Sequence, residues 1–329
     1  MPETQDQKPD PAAPELSVIL VVGGQRKRAA AALRSLLEQS IINRIEILLF
    51  DLGPENCSAL PGSDHPRVTI IRGVPEDLLA AARVHGVHAA NAPVVCFMEE
   101  HCEVRPGWAE AIVLAHRGPW AGVGCDFVNG NPNAGNSDKA FRMNYGVYVR
   151  PQHGRGPVNR IPGQNSAFKR DVLLRYENQL ELMLSADLVL QWKMAQEGNQ
   201  LFYEPAATMA HRNENTLRSL CVGVFYWNWC FSNIRAQAFQ WGFPRRALRI
   251  VLAPLIPWVR LARMFVWTLR LGPSQFAQLV RDIPFVLVVN HCSAAGQVAG
   301  LLNPVDTGVR EFSHFEMNEP RLLRAELTQ

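Results

Sequence analysis

The residues with most capacity for chemistry form a short cluster, Glu99-Glu100-His101, that follows the apolar run Val94 to Met98. Alternate side chains of an extended segment share a face, so Glu99 and His101 can meet one ligand while Glu100 points elsewhere. Such a pair can hold a transition-metal ion, or the two can hydrogen-bond structurally within a loop. Asp51 ends a second apolar run, Ile45 to Phe50, where its carboxylate can accept two hydrogen bonds from a polar ligand or cap the turn that follows. Asp187 opens the helical segment Asp187 to Glu197, as a general base or as a first-turn acid that complements the helix dipole. His211 stands soon after the short strand Leu201 to Tyr203 and the pair Glu204-Pro205.

These groups need a frame that brings them together. Leu16 to Val22 is a continuous apolar run rich in β-branched residues, as a strand covered on both faces should be, and Gly23-Gly24 ends it. Ala29 to Gln39 places Leu33, Leu36 and Leu37 at helical spacing. Ile45 to Phe50, Val68 to Ile71 and Val94 to Met98 read as further strands, with an Ala-rich helix, Glu76 to Ala90, before the last. This alternation predicts an α/β domain with a mostly parallel sheet flanked by helices. Ligands of such sheets sit beyond the carboxyl ends of the strands, where Asp51 and Glu99 to His101 fall. Ala121 to Phe127 adds a strand. The polar stretch Val128 to Arg160, rich in Gly, Asn and Pro, reads as a long functional or mobile loop.

Composition shifts near Thr216. From there to Arg281 stand nine arginines, five of the chain's eight tryptophans and no Asp, Glu or Lys. Arg and Trp among Leu and Ile suit helices lying in a membrane interface, drawn to anionic headgroups; they also suit a helical subdomain packed on the sheet with arginine heads outward. Arg260 and Arg263, with Pro254 and Pro257, interrupt one apolar stretch, and Asn290, His291 and Gln297 burden Ile283 to Leu302, so no span is expected. The predicted units are a disordered tail over 1–15, an α/β domain over 16–215, an Arg/Trp-rich helical, membrane-proximal region over 216–310 and a tail over 311–329.

A composition 47% hydrophobic and 19% charged excludes a disordered chain, and a net charge of +3 on 329 residues gives no reason to expect a nucleic-acid partner. Seven cysteines without a Cys-x-x-Cys pair suit a reduced compartment, and Cys96, His101 and Cys102 lack zinc-type spacing. No Gly-x-x-x-x-Gly-Lys, dinucleotide or Gly-x-Ser-x-Gly motif is present. Trp108 reads as core, and His85 and His88 as surface or core residues of a helix. Lys169 and Arg170 can neutralise phosphate or cap a helix.

Further segments fall in a telling order. Ala82-Arg83-Val84-His85-Gly86 precedes strand four; Glu99-Glu100-His101 leads into Pro106-Gly107-Trp108; Gly163-Gln164-Asn165-Ser166-Ala167-Phe168-Lys169-Arg170 and Ala186-Asp187 follow, then Leu190, Lys193, Gly198, Pro205 and His211. Over Leu16 to Arg212 this order resembles a family 2 glycosyltransferase of the GT-A fold, with Glu-x-His in place of Asp-x-Asp and Ala186-Asp187 in place of Glu-Asp. The resemblance implies an inverting transferase that uses a nucleoside diphosphate sugar. It implies Asp187 as the base, and Asp51, Arg83, Glu99, Glu100 and Asn165 on the donor. His101 and His211 are implied as metal ligands, for Mn²⁺ before Mg²⁺ because imidazole suits the former. With the basic helices it implies a sugar or lipid-linked acceptor, an anionic membrane surface as partner, and a cytoplasmic, peripheral location at the inner face of the membrane. The alternative is a GT-A-like protein without turnover that binds a sugar nucleotide or a partner at the membrane.

Overall fold

A computed structural model describes residues 13–54, 59–72, 78–146 and 154–327. Most of the amino-terminal tail, Cys57 and the expected helix start at Glu76 lie outside the described residues. The chain opens with β1 (Leu16–Val22), α1 (Arg26–Leu37), β2 (Ile45–Asp51), β3 (Val68–Ile71), α2 (Leu79–Ala89) and β4 (Val94–Glu99). The continuous apolar runs become the inner strands because every residue of β1 and β4 is buried, with helices covering both faces. β1 pairs in parallel with both β2 and β4, and β2 with β3.

β5 (Cys102–Val104), α3 (Trp108–Ala115), β6 (Gly122–Asn129), α4 (Ser137–Asn144), β7 (Gly156–Val158), β8 (Ser166–Lys169), α5 (Arg170–Leu174), α6 (Glu177–Leu184), α7 (Asp187–Gln196) and β9 (Leu201–His211) complete the sheet layer. The sheet has nine strands in the order β3-β2-β1-β4-β8-β6-β9-β5, with β7 beside β9. β8 runs antiparallel to β4 and β6, so the sheet is mixed but mostly parallel. Gly107 stands at φ 82°, the left-handed conformation that glycine adopts at no steric cost, and it starts α3.

Two local expectations change. The strand at Leu201 to Tyr203 continues to His211, slipping register between Glu204 and Thr208. Pro205 stands in that gap, where a residue without N–H removes no ladder bond. The long loop after Val128 carries the end of β6, then α4 and β7; its residues 147–153 lie outside the described residues.

A helical layer follows: α8 (Leu217–Ala238), α9 (Phe243–Val251), α10 (Ile256–Leu271), α11 (Pro273–Leu302) and α12 (Val305–Asn318). α8 and α11 approach closely at Gly296 and Gly300, where a Cβ would lie 2.2 Å from the Phe225 carbonyl oxygen and 2.1 Å from that of Trp229. Their polar groups face each other: Asn233 donates to the Gly300 and Asn303 carbonyls, and Gln297 to Asn228. Arg260, expected with its head outward, instead reaches Asn228 and Ser293 between the helices. Against the expectation of no span, α11 is by length and composition long and apolar enough to cross a membrane, with 50% of its most apolar window buried in the protein. Residues 311–318, expected as tail, complete α12, and the chain then turns back toward the sheet.

Candidate active site

The carboxyl edge of the sheet gathers the predicted acids and imidazoles. Glu99 ends β4, and antiparallel pairing of β5 with β9 sets Cys102 opposite His211. His101, next to Cys102, thereby meets a residue 110 positions away: the two Nε2 atoms are 3.0 Å apart, and the rings cross edge to face. Glu99 Oε2 lies 3.3 Å from His101 Nε2 and 3.6 Å from His211 Nε2. The His211 Nδ1–H donates to Asn213 Oδ1 at 3.0 Å, which fixes the tautomer and leaves Nε2 aimed into the cluster. Cys102, dismissed as a ligand on spacing, belongs to the same set of donors, all within 4.8 Å of one another.

This set fits a cation. Bonds of about 2.1 Å round a six-coordinate ion place neighbouring ligand atoms about 3 Å apart, close to the separations found here. Two imidazoles and a carboxylate favour a transition metal such as Mn²⁺ over Mg²⁺. Burial holds the His101 imidazole well below its usual range, hence neutral, as a ligand must be. Burial works to raise Glu99, but its contacts with His101 and His211 outweigh this and hold the carboxyl well below the ordinary range.

Asn165 ties this cluster to the next element. It ends a single 3₁₀ turn, Gly163–Asn165; its Nδ2 donates to Glu99 Oε2 at 2.5 Å, and its Oδ1 accepts from the Glu99 N–H at 3.0 Å. The same turn carries Gly163, whose N–H donates to Asp187 Oδ2 at 3.0 Å. Only glycine allows this approach, since a Cβ there would lie 2.6 Å from the Asp187 Cβ. Asp187 is buried at the first turn of α7, and burial pushes its pKa up to about 6; the Gly163 N–H and the Arg83 guanidinium pull it down, and Glu99 raises it. Arg83 is itself buried, stacks over Phe97 at 5.8 Å, and its Nε has no partner among the described residues. Glu99, Asn165, Asp187, Arg83, His101 and His211 therefore form one buried neighbourhood.

Other predicted residues fall elsewhere. Asp51 reaches the same edge, because β1 pairs Val22 with Asp51 and Val21 with Glu99, but it sits two strands from the cluster. There it accepts from Arg26 at 2.7 and 3.1 Å and pairs with Arg72 at 3.5 Å. Glu100, predicted on the donor, lies in the turn between β4 and β5 and faces the other way; it accepts from the Gly23 N–H at 2.8 Å and from Arg28 at 2.6 and 3.0 Å. Its oxygens are spent bracing the end of β1. Lys169 pairs with Val94 at the start of β4, the edge opposite the cluster, and Arg170 caps α2 by donating to the Val87 and His88 carbonyls. Neither can reach a phosphate at the cluster. Trp108 is core, fully buried, and His85 and His88 are exposed on α2.

Three buried groups escaped the sequence reading. Arg321 lies against His101, with Glu316 and Glu214 on its guanidinium. The Glu316–Arg321 separation has no helical period and carried no signal. Between the ends of β1 and β4 and the end of α12 runs a narrow recess lined by Val21, Arg83, Glu99, His101, Glu316 and Met317 among others.

A mixed, mostly parallel sheet with acid and imidazole groups gathered at its carboxyl edge is the arrangement of a GT-A-type fold. Residues 17–176 match Glycosyl transferase family 2. The chain is 26% identical over 174 residues to polypeptide N-acetylgalactosaminyltransferase 12 of Mus musculus, covering 45% of this chain and 30% of the relative. It is 39% identical over 49 residues to putative polypeptide N-acetylgalactosaminyltransferase 9 of Drosophila melanogaster, 15% of this chain and 8% of the relative. The chain thus spans less than a third of either curated relative. Mannosyltransferase PcManGT from Pyrobaculum calidifontis, solved with GDP-Man and Mn²⁺, superposes with a TM-score of 0.52 at 15% identity, covering 87% of this chain and 89% of that one. GalNAc-T7, solved with UDP, GalNAc and Mn²⁺, gives a TM-score of 0.41 at 15% identity over 60% and 42% of the two chains.

Proposed function

We infer that the protein transfers a sugar from a nucleoside diphosphate sugar to a hydroxyl acceptor with inversion at the anomeric carbon. The observation that carries this reading is the turn Gly163–Asn165, which holds Asp187 with one end and Glu99 of the cation cluster with the other. Asp187 is the general base: its carboxylate takes the acceptor proton as the acceptor oxygen attacks the anomeric carbon and the bond to the diphosphate breaks. The nucleoside diphosphate leaves with the bonding pair. Glu99, His101 and His211 would hold Mn²⁺, which when bound supplies positive charge for the departing diphosphate. Arg83 adds a fixed buried cation beside Asp187 and Glu99, where developing charge feels it strongly. Asp51, at the same sheet edge, suits hydrogen bonds to the nucleotide's ribose or base. The PcManGT complex, with GDP-Man and Mn²⁺ on a similar fold, supports the same class of donor.

The acceptor reading follows from the helical layer. Nine of the sixteen exposed large apolar side chains among the described residues lie between Phe243 and Leu269, among arginines. That surface supports peripheral attachment to an anionic membrane at its cytoplasmic face, and with it a lipid-linked acceptor.

The test is release of nucleoside diphosphate from a panel of sugar nucleotides with Mn²⁺ present. One donor should be hydrolysed slowly without acceptor. Asp187→Asn should lower transfer by about 100-fold or more while donor binding persists. Full transfer by that variant removes Asp187 from its role, and no hydrolysis or binding of any donor removes the reading.

A further inference from the structure

The segment after α12 brings a cation to the cluster. Arg321 is 2% exposed, and its Nη1 lies 2.5 Å from His101 Nε2 and 2.7 Å from Nδ1. Its Nη2 donates to both Glu316 oxygens at 2.9 Å and to Glu214 Oε1 at 3.1 Å. A guanidinium only donates and keeps its charge, so Nη1 sets a permanent positive charge in contact with the His101 nitrogen that a metal ion would bind. Burial opposes its charge, but Glu316, Glu214 and Glu99 more than offset this and keep it ionised. Arg321 also stands at φ 45°, in the left-handed region that a long side chain adopts only when its surroundings enforce it.

Those surroundings are specific. Arg28, held by Glu100, donates to the carbonyls of Glu316, Met317 and Glu319 and so clamps the end of α12. Met317 rests on Gly23 at the end of β1, where a Cβ would come within 2.8 Å of it. The end of α12 thus covers the carboxyl ends of β1 and β4, and what remains is the narrow recess.

We propose that Arg321 is an internal cation that holds the place of the divalent ion at Glu99, His101 and His211, so that metal entry and withdrawal of the segment after α12 are one exchange. The inference rests on the reading of this edge as the donor site. The two occupants exclude each other because Nη1 fills the space beside His101 Nε2 and two positive charges at that separation repel. The exchange also opens the sheet edge: with Arg321 seated, the ends of β1 and β4 are covered, and a diphosphate reaches the cluster only once the segment has left.

The decisive measurement is binding of Mn²⁺ alone, followed by loss of the free-ion EPR signal, to the full chain and to Arg321→Met and Glu316→Gln. Arg321→Met should bind about tenfold more tightly or better, since apparent affinity is reduced by the fraction of molecules in which the site is blocked. Glu316→Gln, which loses one anchor of the guanidinium, should shift the affinity in the same direction by less. In the unaltered protein Mn²⁺ should speed amide exchange over residues 316–327. His211→Ala should abolish tight binding in every background. Equal or weaker binding by Arg321→Met, unchanged exchange at saturating Mn²⁺, or binding that survives His211→Ala overturns the proposal. Should Arg321→Met fail to fold, Glu316→Gln and the exchange experiment decide. No Mn²⁺ binding by any protein also overturns it, leaving donor hydrolysis to judge the transferase reading; absent donor binding with the exchange intact sinks that reading alone.

Discussion

The sheet layer and the helical layer of this chain solve opposite packing problems. Up to His211, only Ile70, Leu114 and Val128 are exposed large apolar residues among those described, and buried apolar side chains pack both faces of the sheet. Beyond Thr216 thirteen such residues are exposed, while Asn228, Asn233, Ser293 and Asn290 are buried between helices. α8 and α11 meet through Gly296 and Gly300 with amide-to-carbonyl bonds, the small-residue, hydrogen-bonded contact that helices use where burial of apolar surface supplies no drive. The first layer is built for water outside and oil within; the second is closer to the reverse. Exposed apolar patches of this kind mark surfaces that meet something other than water.

The strongest way to break this contrast is at the helix contact. Gly300→Val should destabilise the protein by about 3 kcal/mol or more, because its Cβ meets backbone rather than a movable side chain. Gly107→Ala, with open space round its Cβ but φ 82°, should cost only about 1 kcal/mol. Thermal melts of the two variants compare the layers directly, and equal losses would show that the α8–α11 contact has slack.

Next in size is the response of the site to pH. Asp187, raised to about 6, must be ionised to accept a proton, so transfer should climb as pH rises through about 6 and then level off. The sign for stability is opposite. The folded state binds this proton more tightly than the unfolded chain, so the contribution of Asp187 to stability declines as pH rises from about 4 to about 6. Asp187→Asn should flatten that component in denaturant titrations; an unchanged pH dependence would mean that its burial does not perturb it.

A smaller effect separates the outer surfaces. Sedimentation with anionic vesicles should weaken as salt rises, since the arginines of the helical layer act through a screened field. Phe243→Ser with Trp258→Ser should lower vesicle binding further yet leave the melting temperature nearly unchanged, both side chains being exposed. Binding as strong to neutral vesicles, or none at all, would leave the exposed face unexplained by a membrane. The smallest expected effect is at Lys169, where Gln should leave transfer unchanged, as it stands at the far edge of the sheet.

What could be read in the sequence was what local pattern encodes. Continuous apolar runs specify buried parallel strands, and residues that end those runs fall at one sheet edge, so Asp51, Glu99 and His101 were placed by counting along the chain. Glu99 and His101 do part from Glu100 as expected, but a turn between β4 and β5, not strand alternation, parts them, and no local pattern said that Glu100 braces β1. Asp187 stood out as a helix-start acid, but its raised pKa comes from burial against Gly163 and α7, which no local pattern reports.

Tertiary structure alone decided the rest. Strand pairing, not spacing, brought Cys102 and His211 together. Arg321 meets His101 across 220 residues, carried there by the turn of the chain after α12. A side chain's place in a periodic element is fixed by its near neighbours, whereas a contact between distant segments depends on how every intervening element packs. The apolar runs could therefore foretell the sheet, and only the folded chain could show which cation it seats at the edge.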